Sequence, residues 1–198
     1  MQFMAPGLVM LAVITNAYSN VVSSFFGVKF QRSIEELLVS PMPTYLILIG
    51  FVLGGVVRGI IVGFLVLLTS LIFTDITVQN IPLTLLVVVM TAFLFSIAGF
   101  LNALFADNFD DINIVPTFIL TPLIYLGGVF YSVDLLSNTW QIVSKANPLL
   151  YMVNAFRYGM IGVSDINVQF ALIMITFFIS IFFALAYYLL KKGYGIRT

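Results

Sequence analysis

The sequence predicts an all-α integral membrane protein, and three observations carry that prediction. Hydrophobic residues fill 62% of the 198 positions and charged residues only 8%, against about a quarter charged in ordinary soluble domains. The apolar residues are gathered into five long stretches, and the short segments between them hold nearly all of the 8 basic and 8 acidic residues. No stretch shows the strict apolar/polar alternation of a membrane β-strand. The whole chain, 1–198, reads as one membrane-spanning domain.

Charged or proline-marked borders place the spans at 6–26, 45–73, 81–105, 112–131 and 168–190. Each has the roughly 20 residues that a helix needs to cross about 30 Å of hydrocarbon. Orientation follows from the basic residues. Lys29 and Arg32 follow the first span and Lys191, Lys192 and Arg197 follow the fifth, whereas the opposite segments hold only Lys145 and Arg157. The positive-inside tendency then puts the Lys29 loop and the C-terminus in the cytoplasm and the start of the first span outside. An outside start sets two expectations side by side: an upstream segment carrying one more span, or a five-span protein inserted N-terminus out. Residues 1–5 carry neither a basic region nor a cleavage site, so no signal peptide is expected.

Composition narrows the chemistry. With no cysteine and no histidine, thiolate and imidazole metal sites, disulfides and histidine acid-base catalysis are excluded. No catalytic or metal-binding set is expected. The phosphate-loop pattern of ATP-binding proteins is missing, so nucleotide energy has to come from a partner. A net charge of zero gives no reason to expect nucleic acid.

In the Lys29 loop, Ser33 and Glu36 are spaced as a capping box, which predicts a short helix starting there. Ile34, Leu37 and Leu38 fall on one stripe, Glu35 and Glu36 sit at the favourable N-terminal end, and Pro41 and Pro43 stop the helix. Two readings stand: a capped helix resting on lipid headgroups, or a knob for a cytoplasmic partner. Arg58, within the second span and flanked by Gly54, Gly55 and Gly59, costs at least about 2.5 kcal/mol at mid-membrane. It is expected either to snorkel or find a polar partner, or to line a pathway. Gly55 and Gly59 form a small-xxx-small pair that permits close helix approach.

Between the third and fourth spans, Asp107, Asp110 and Asp111 make an acidic turn on the predicted cytoplasmic side. Adjacent carboxylates suggest acid-base or cation chemistry, but at the start of a helix they also simply stabilise its N-terminus. Pro116 and Pro122 are expected to kink the fourth span, which closes on Gly127-Gly128. In the outer segment 132–167, Asn147-Pro148 reads as cap and first residue of a helix over 149–161. That helix is too short to span. With Trp140, Tyr151 and Tyr158 as interface aromatics and Arg157 near its end, it is either a surface helix or half of a re-entrant hairpin.

These segments together resemble the permease subunits of type-2 ATP-binding-cassette (ABC-2) exporters over essentially the whole chain. The likeness rests on Pro6-Gly7-Leu8, on Ile34-Glu35-Glu36-Leu37-Leu38-Val39-Ser40-Pro41, and on Phe109-Asp110-Asp111 followed by Pro116, Pro122-Leu123 and Gly127-Gly128-Val129-Phe130-Tyr131. Asn147-Pro148-Leu149-Leu150-Tyr151 and Phe156-Arg157-Tyr158-Gly159 complete it. The resemblance implies a six-span protomer of the bacterial cytoplasmic membrane that pairs with a second copy. It also implies a separate ATPase subunit, which binds ATP and magnesium. By the same resemblance, residues 33–40, including Ser33, Ile34, Glu35, Glu36, Leu37 and Leu38, correspond to the ATPase-coupling helix, and 138–162 to an outer helical hairpin. The chain departs from the family in lacking an N-terminal amphipathic segment and first span. On the residues alone two other classes stand as alternatives: a gradient-driven transporter or channel, which wants carboxylates inside the spans, and an intramembrane enzyme, which wants a nucleophile with a base.

Overall fold

In the computed structural model, residues 3–34, 42–74, 78–133 and 136–195 are described. Among them the fold is wholly helical: α1 (Met4–Phe30), α2 (Thr44–Phe73), α3 (Ile81–Phe105), α4 (Asp111–Leu126), α5 (Asn138–Lys145), α6 (Pro148–Ile161) and α7 (Val168–Lys192). Four of these, α1, α2, α3 and α7, are long and apolar enough to cross a membrane. The starts of α3, α6 and α7 follow the sequence signals closely, because an asparagine stands before each. Asn80 accepts from Leu83 N, Asn147 from Leu149 N, and Asn167 from Gln169 N and Phe170 N, each occupying amides that a helix start leaves free. Arg32 ends the turn after α1 with a left-handed backbone, φ 60°.

The expected fourth span is shorter than its sequence suggested. Helix α4 stops at Leu126 instead of 131, and its 16 residues rise only about 24 Å. At Pro116 the helix changes its hydrogen-bond spacing. Residues Pro116–Leu120 form a π-turn, with Thr121 N and Thr121 Oγ1 both donating to the Pro116 carbonyl, the hydroxyl at 2.8 Å. Pro122 follows one residue later. Its ring excludes the Phe118 carbonyl and it offers no N–H, so the preceding turn widens instead of breaking. Gly128, at φ 70°, then takes the chain out of the helix.

Helix α1 is the centre of the bundle, packed on α2 and α3. Apolar burial cannot drive helices together inside lipid, so close packing does that work. Gly55, Gly59 and Gly63 of α2 form the seam. A methyl on Gly59 would stand 2.9 Å from Ala17 Cβ and 3.1 Å from the Val13 carbonyl, and Gly55 and Gly63 press equally on α1. Near the Lys29 end Phe25 meets Phe51 edge-on at 5.2 Å and Phe100 at 4.2 Å.

Helix α6 resolves the choice left open for the outer segment. Eleven of its 14 residues are buried, and it lies among α3, α7 and α1 instead of resting on the surface. Its C-terminal turn joins the start of α3, where Gln79 N and Asn80 N donate to the Met160 and Gly159 carbonyls at 3.1 and 2.8 Å. Its N-terminal Pro148 shares a cleft with Leu94, near the middle of α3. Its backbone is thereby screened by protein, as the re-entrant alternative requires.

Candidate functional site

Arg58 is the fifteenth of the 30 residues of α2, and its side chain is exposed on the surface of the bundle. Its Nη1 donates to Asn20 Oδ1 of α1 at 3.3 Å. Asn20 belongs to a set of six polar residues, Thr15, Asn16, Ser19, Asn20, Ser23 and Ser24, spaced so that all lie on one face of α1. None of the six is buried. Thr15, Ser23 and Ser24 donate to carbonyls of their own helix, at 2.8 Å to Leu11 O, 2.8 Å to Ser19 O and 2.7 Å to Asn20 O. Their hydroxyl donors are thereby satisfied, and acceptor lone pairs remain for something outside the helix.

A strip of this kind is out of place against lipid tails. The arginine alone costs at least about 2.5 kcal/mol there, and each polar neighbour adds to the penalty. The arrangement suits water, a polar solute or another protein surface. The sequence reading singled out Arg58 and overlooked its partners. The signal was present as the run Thr15-Asn16-Ala17-Tyr18-Ser19-Asn20-Val21-Val22-Ser23-Ser24, which makes α1 the least apolar of the four long helices.

The outer end is held by Arg157, which is fully buried. Its Nη2 donates to the Gly128 carbonyl at 2.6 Å, and its guanidinium stacks 3.8 Å from the Phe3 ring centroid. One side chain thus ties α6 to the turn after α4 and to the start of α1. The nearby Asp165 carboxylate offsets part of the cost of burying this charge. Asp165 and Asn154, neither singled out from the sequence, extend this network: Val133 N donates to Asp165 Oδ2 at 3.1 Å and Asp165 N to Asn154 Oδ1 at 3.0 Å. Asn147 both caps α6 and donates from Nδ2 to the Leu123 carbonyl of α4 at 2.6 Å. Trp140 and Tyr158 are exposed, as interface aromatics should be. Tyr151 differs. It is buried, and its hydroxyl donates to the Lys145 carbonyl at 2.5 Å, closing the end of α5.

At the opposite end the acidic turn is a reciprocal cap. Asn108 Oδ1 accepts from Asp110 N and Asp111 N at 3.0 and 2.9 Å, and Asp111 Oδ2 accepts from Asp107 N and Asn108 N at 3.0 and 3.2 Å. Asp111 therefore serves the start of α4, Asp110 stands exposed beside it, and the cap residue is Asn108. Lys29 Nζ donates to the Leu104 and Ala106 carbonyls at 2.9 and 2.6 Å, closing the C-terminus of α3 where a cation is most favourable. Of the expected loop helix, Ser33 lies in a turn and Ile34 is helical and buried. Glu35, Glu36, Leu37 and Leu38 fall outside the described residues.

Comparison with known proteins sets this geometry in context. The model of the family described as "ABC-2 type transporter" matches residues 1–161, which contain the polar face, Arg58 and the outer network. The inner membrane transport permease YadH of Escherichia coli (strain K12) is 52% identical over 198 residues, covering 100% of this chain and 77% of that protein. Nodulation protein J of Rhizobium leguminosarum bv. viciae is 22% identical over 191 residues, covering 96% of this chain and 74% of the relative.

Proposed function

This chain belongs to the ABC-2 type transporter family, and from that premise we propose that it is the permease subunit of an exporter in the bacterial inner membrane. Two copies face each other across the polar strip of α1 and Arg58, and substrate moves outward along that strip. A separate ATPase binds ATP and magnesium and acts on residues 33–40, with Ile34, Leu37 and Leu38 filling an apolar groove and Glu35 and Glu36 meeting basic or donor groups. The substrate is a glycan, a lipid-linked molecule or a drug-like compound.

The single observation that supports this reading best is the strip itself: an arginine at the midpoint of a long apolar helix, bonded to Asn20 and continued by five more polar side chains on α1. A second protomer across the strip removes it from lipid, and a watered gap between the two serves polar cargo. The test uses the natural lack of cysteine. Single cysteines at Ser19 and Ser23 are expected to react with a charged, water-soluble thiol reagent in membranes, with reactivity changing when ATP and magnesium are supplied to the ATPase-containing complex. Cysteines at Ile173 and Phe177, on the exposed apolar face of α7, are expected to stay unreactive. Equal protection of all four positions in both states would overturn the reading.

A further inference from the structure

On the side of α1 away from the polar strip, a cleft of about 340 Å³ opens between α3, α4 and α7. Its size is that of a small-molecule site, roughly 300–1,000 Å³. It runs beside α3 from Leu94 to Phe105, eleven residues of rise and hence about 16 Å. That is roughly half of the 30 Å hydrocarbon core, the depth of one leaflet. Phe178 and Phe182 of α7 form one wall, and Ile119 and Leu120 in the π-turn of α4 form the other.

The cleft is built into the fold. Helix α4 is strutted at both ends by asparagines, Asn102 Nδ2 donating to the Ile112 carbonyl at 2.9 Å and Asn147 Nδ2 to the Leu123 carbonyl at 2.6 Å. Between the struts the widened turn stands off from α3 and α7. The lining is apolar except for Tyr18 and Asn102. The Tyr18 side chain is buried, and its hydroxyl, beside the Asn102 side chain, has no well-formed hydrogen bond.

We propose that this cleft binds one acyl chain of a membrane phospholipid, with the Tyr18 hydroxyl donating to the ester carbonyl of that chain. A void with apolar walls forfeits the dispersion contacts of its lining and does not attract water. In a bilayer the molecule at hand with the right shape is a hydrocarbon chain lying along the helices, and a carbonyl at its head completes the one donor left unsatisfied. The site lies within one protomer and on the opposite face of α1 from the strip, so it stands independently of the exporter reading.

The test reconstitutes the chain into vesicles of phosphatidylethanolamine and phosphatidylglycerol containing a trace of phosphatidylethanolamine with a diazirine in one acyl chain. Crosslinks are mapped by mass spectrometry. Labelling of Tyr18 and Leu94, which are buried from bulk lipid, is expected alongside ordinary labelling of Ile173. Ala98→Trp, filling the cleft from α3, is expected to abolish the first two and leave Ile173 labelled, which also certifies insertion. Should that variant fail to insert, Ile119→Trp fills the cleft from α4. Tyr18→Phe is expected to raise the probe fraction needed for half-maximal labelling roughly fivefold, the effect of one hydrogen bond. Labelling confined to Ile173 in the unsubstituted chain would overturn the proposal and mean that the cleft closes on itself; labelling of Tyr18 that survives a correctly inserted tryptophan variant would overturn it by showing that lipid reaches Tyr18 by another route.

Discussion

Three cations of this chain show how neighbours decide what a charge does. Lys29 closes a helix end, where its ammonium meets two carbonyls of α3. Arg157 is sunk in the network around α6 and gives a single Nη2 donor to the Gly128 carbonyl. Arg58 stays exposed at mid-helix with a single long bond to Asn20, which leaves most of its five donors for another molecule. Replacing Lys29 with methionine is expected to lower stability by about 1.5–3 kcal/mol, the range for hydrogen bonds to a charged group, and thermal unfolding in detergent would measure it. Arg58→Leu is expected to leave insertion and melting unchanged while lowering transport, and Arg58→Lys, which keeps charge but not the planar fork, to retain part of it. Unchanged transport by the leucine variant, assayed in the ATPase-containing complex, would make Arg58 a bystander. Arg58 was legible in the sequence because a lone charge in an apolar run is conspicuous. Asn20 and the serines were not, because each is mild alone and only their shared face, set by the helix period, makes them a site.

At the scale of elements, what the sequence made readable were the helix starts at Ile81, Pro148 and Val168. Asn147-Pro148 and Gly127-Gly128 act locally, through caps and backbone conformation, and they fall where expected. What it withheld was depth. A buried re-entrant helix and a surface helix can share the same mixture of leucine, tyrosine and asparagine, and only contacts with α3 and α7 distinguish them. The shortening of α4 has a similar cause: its apolar run continues through Val129 and Phe130, but Gly128 at φ 70° turns the backbone away regardless of hydropathy. The α1–α2 seam offers a direct test of packing. Gly59→Val sets branched carbon against Ala17 and the Val13 carbonyl and is expected to cost about 1–3 kcal/mol by overpacking. Gly50, with nothing within 4 Å of an added Cβ, is the matched control. Gly50→Ala is expected to be neutral or to stabilise by up to about 1 kcal/mol through helix propensity. Melting curves of the two variants side by side would separate seam packing from a general intolerance of substitution in α2.

For the molecule as a whole, the exporter reading requires a mechanical route from the ATPase to the strip, which in that reading would start at residues 33–40. Residues 33–40 lie between the end of α1 and the start of α2, the two helices that carry the strip. The Lys29 clamp ties the end of α1 to the end of α3, so displacement of the loop moves α1 and α3 together. If this loop is where the ATPase pushes, its charges matter to docking while the transmembrane packing does not. Glu35→Lys combined with Glu36→Lys is expected to weaken ATPase co-purification and substrate-stimulated hydrolysis while leaving the permease in the membrane, because reversed rim charges oppose association without touching the fold. If Glu36 caps a loop helix, as the Ser33–Glu36 spacing predicts, its loss would weaken that helix by itself. Glu36→Gln keeps the capping geometry and is the necessary control, expected to bind the ATPase nearly as well as the unsubstituted chain. Normal co-purification and stimulation by the double reversal would remove the coupling role from this loop, with force entering the bundle elsewhere.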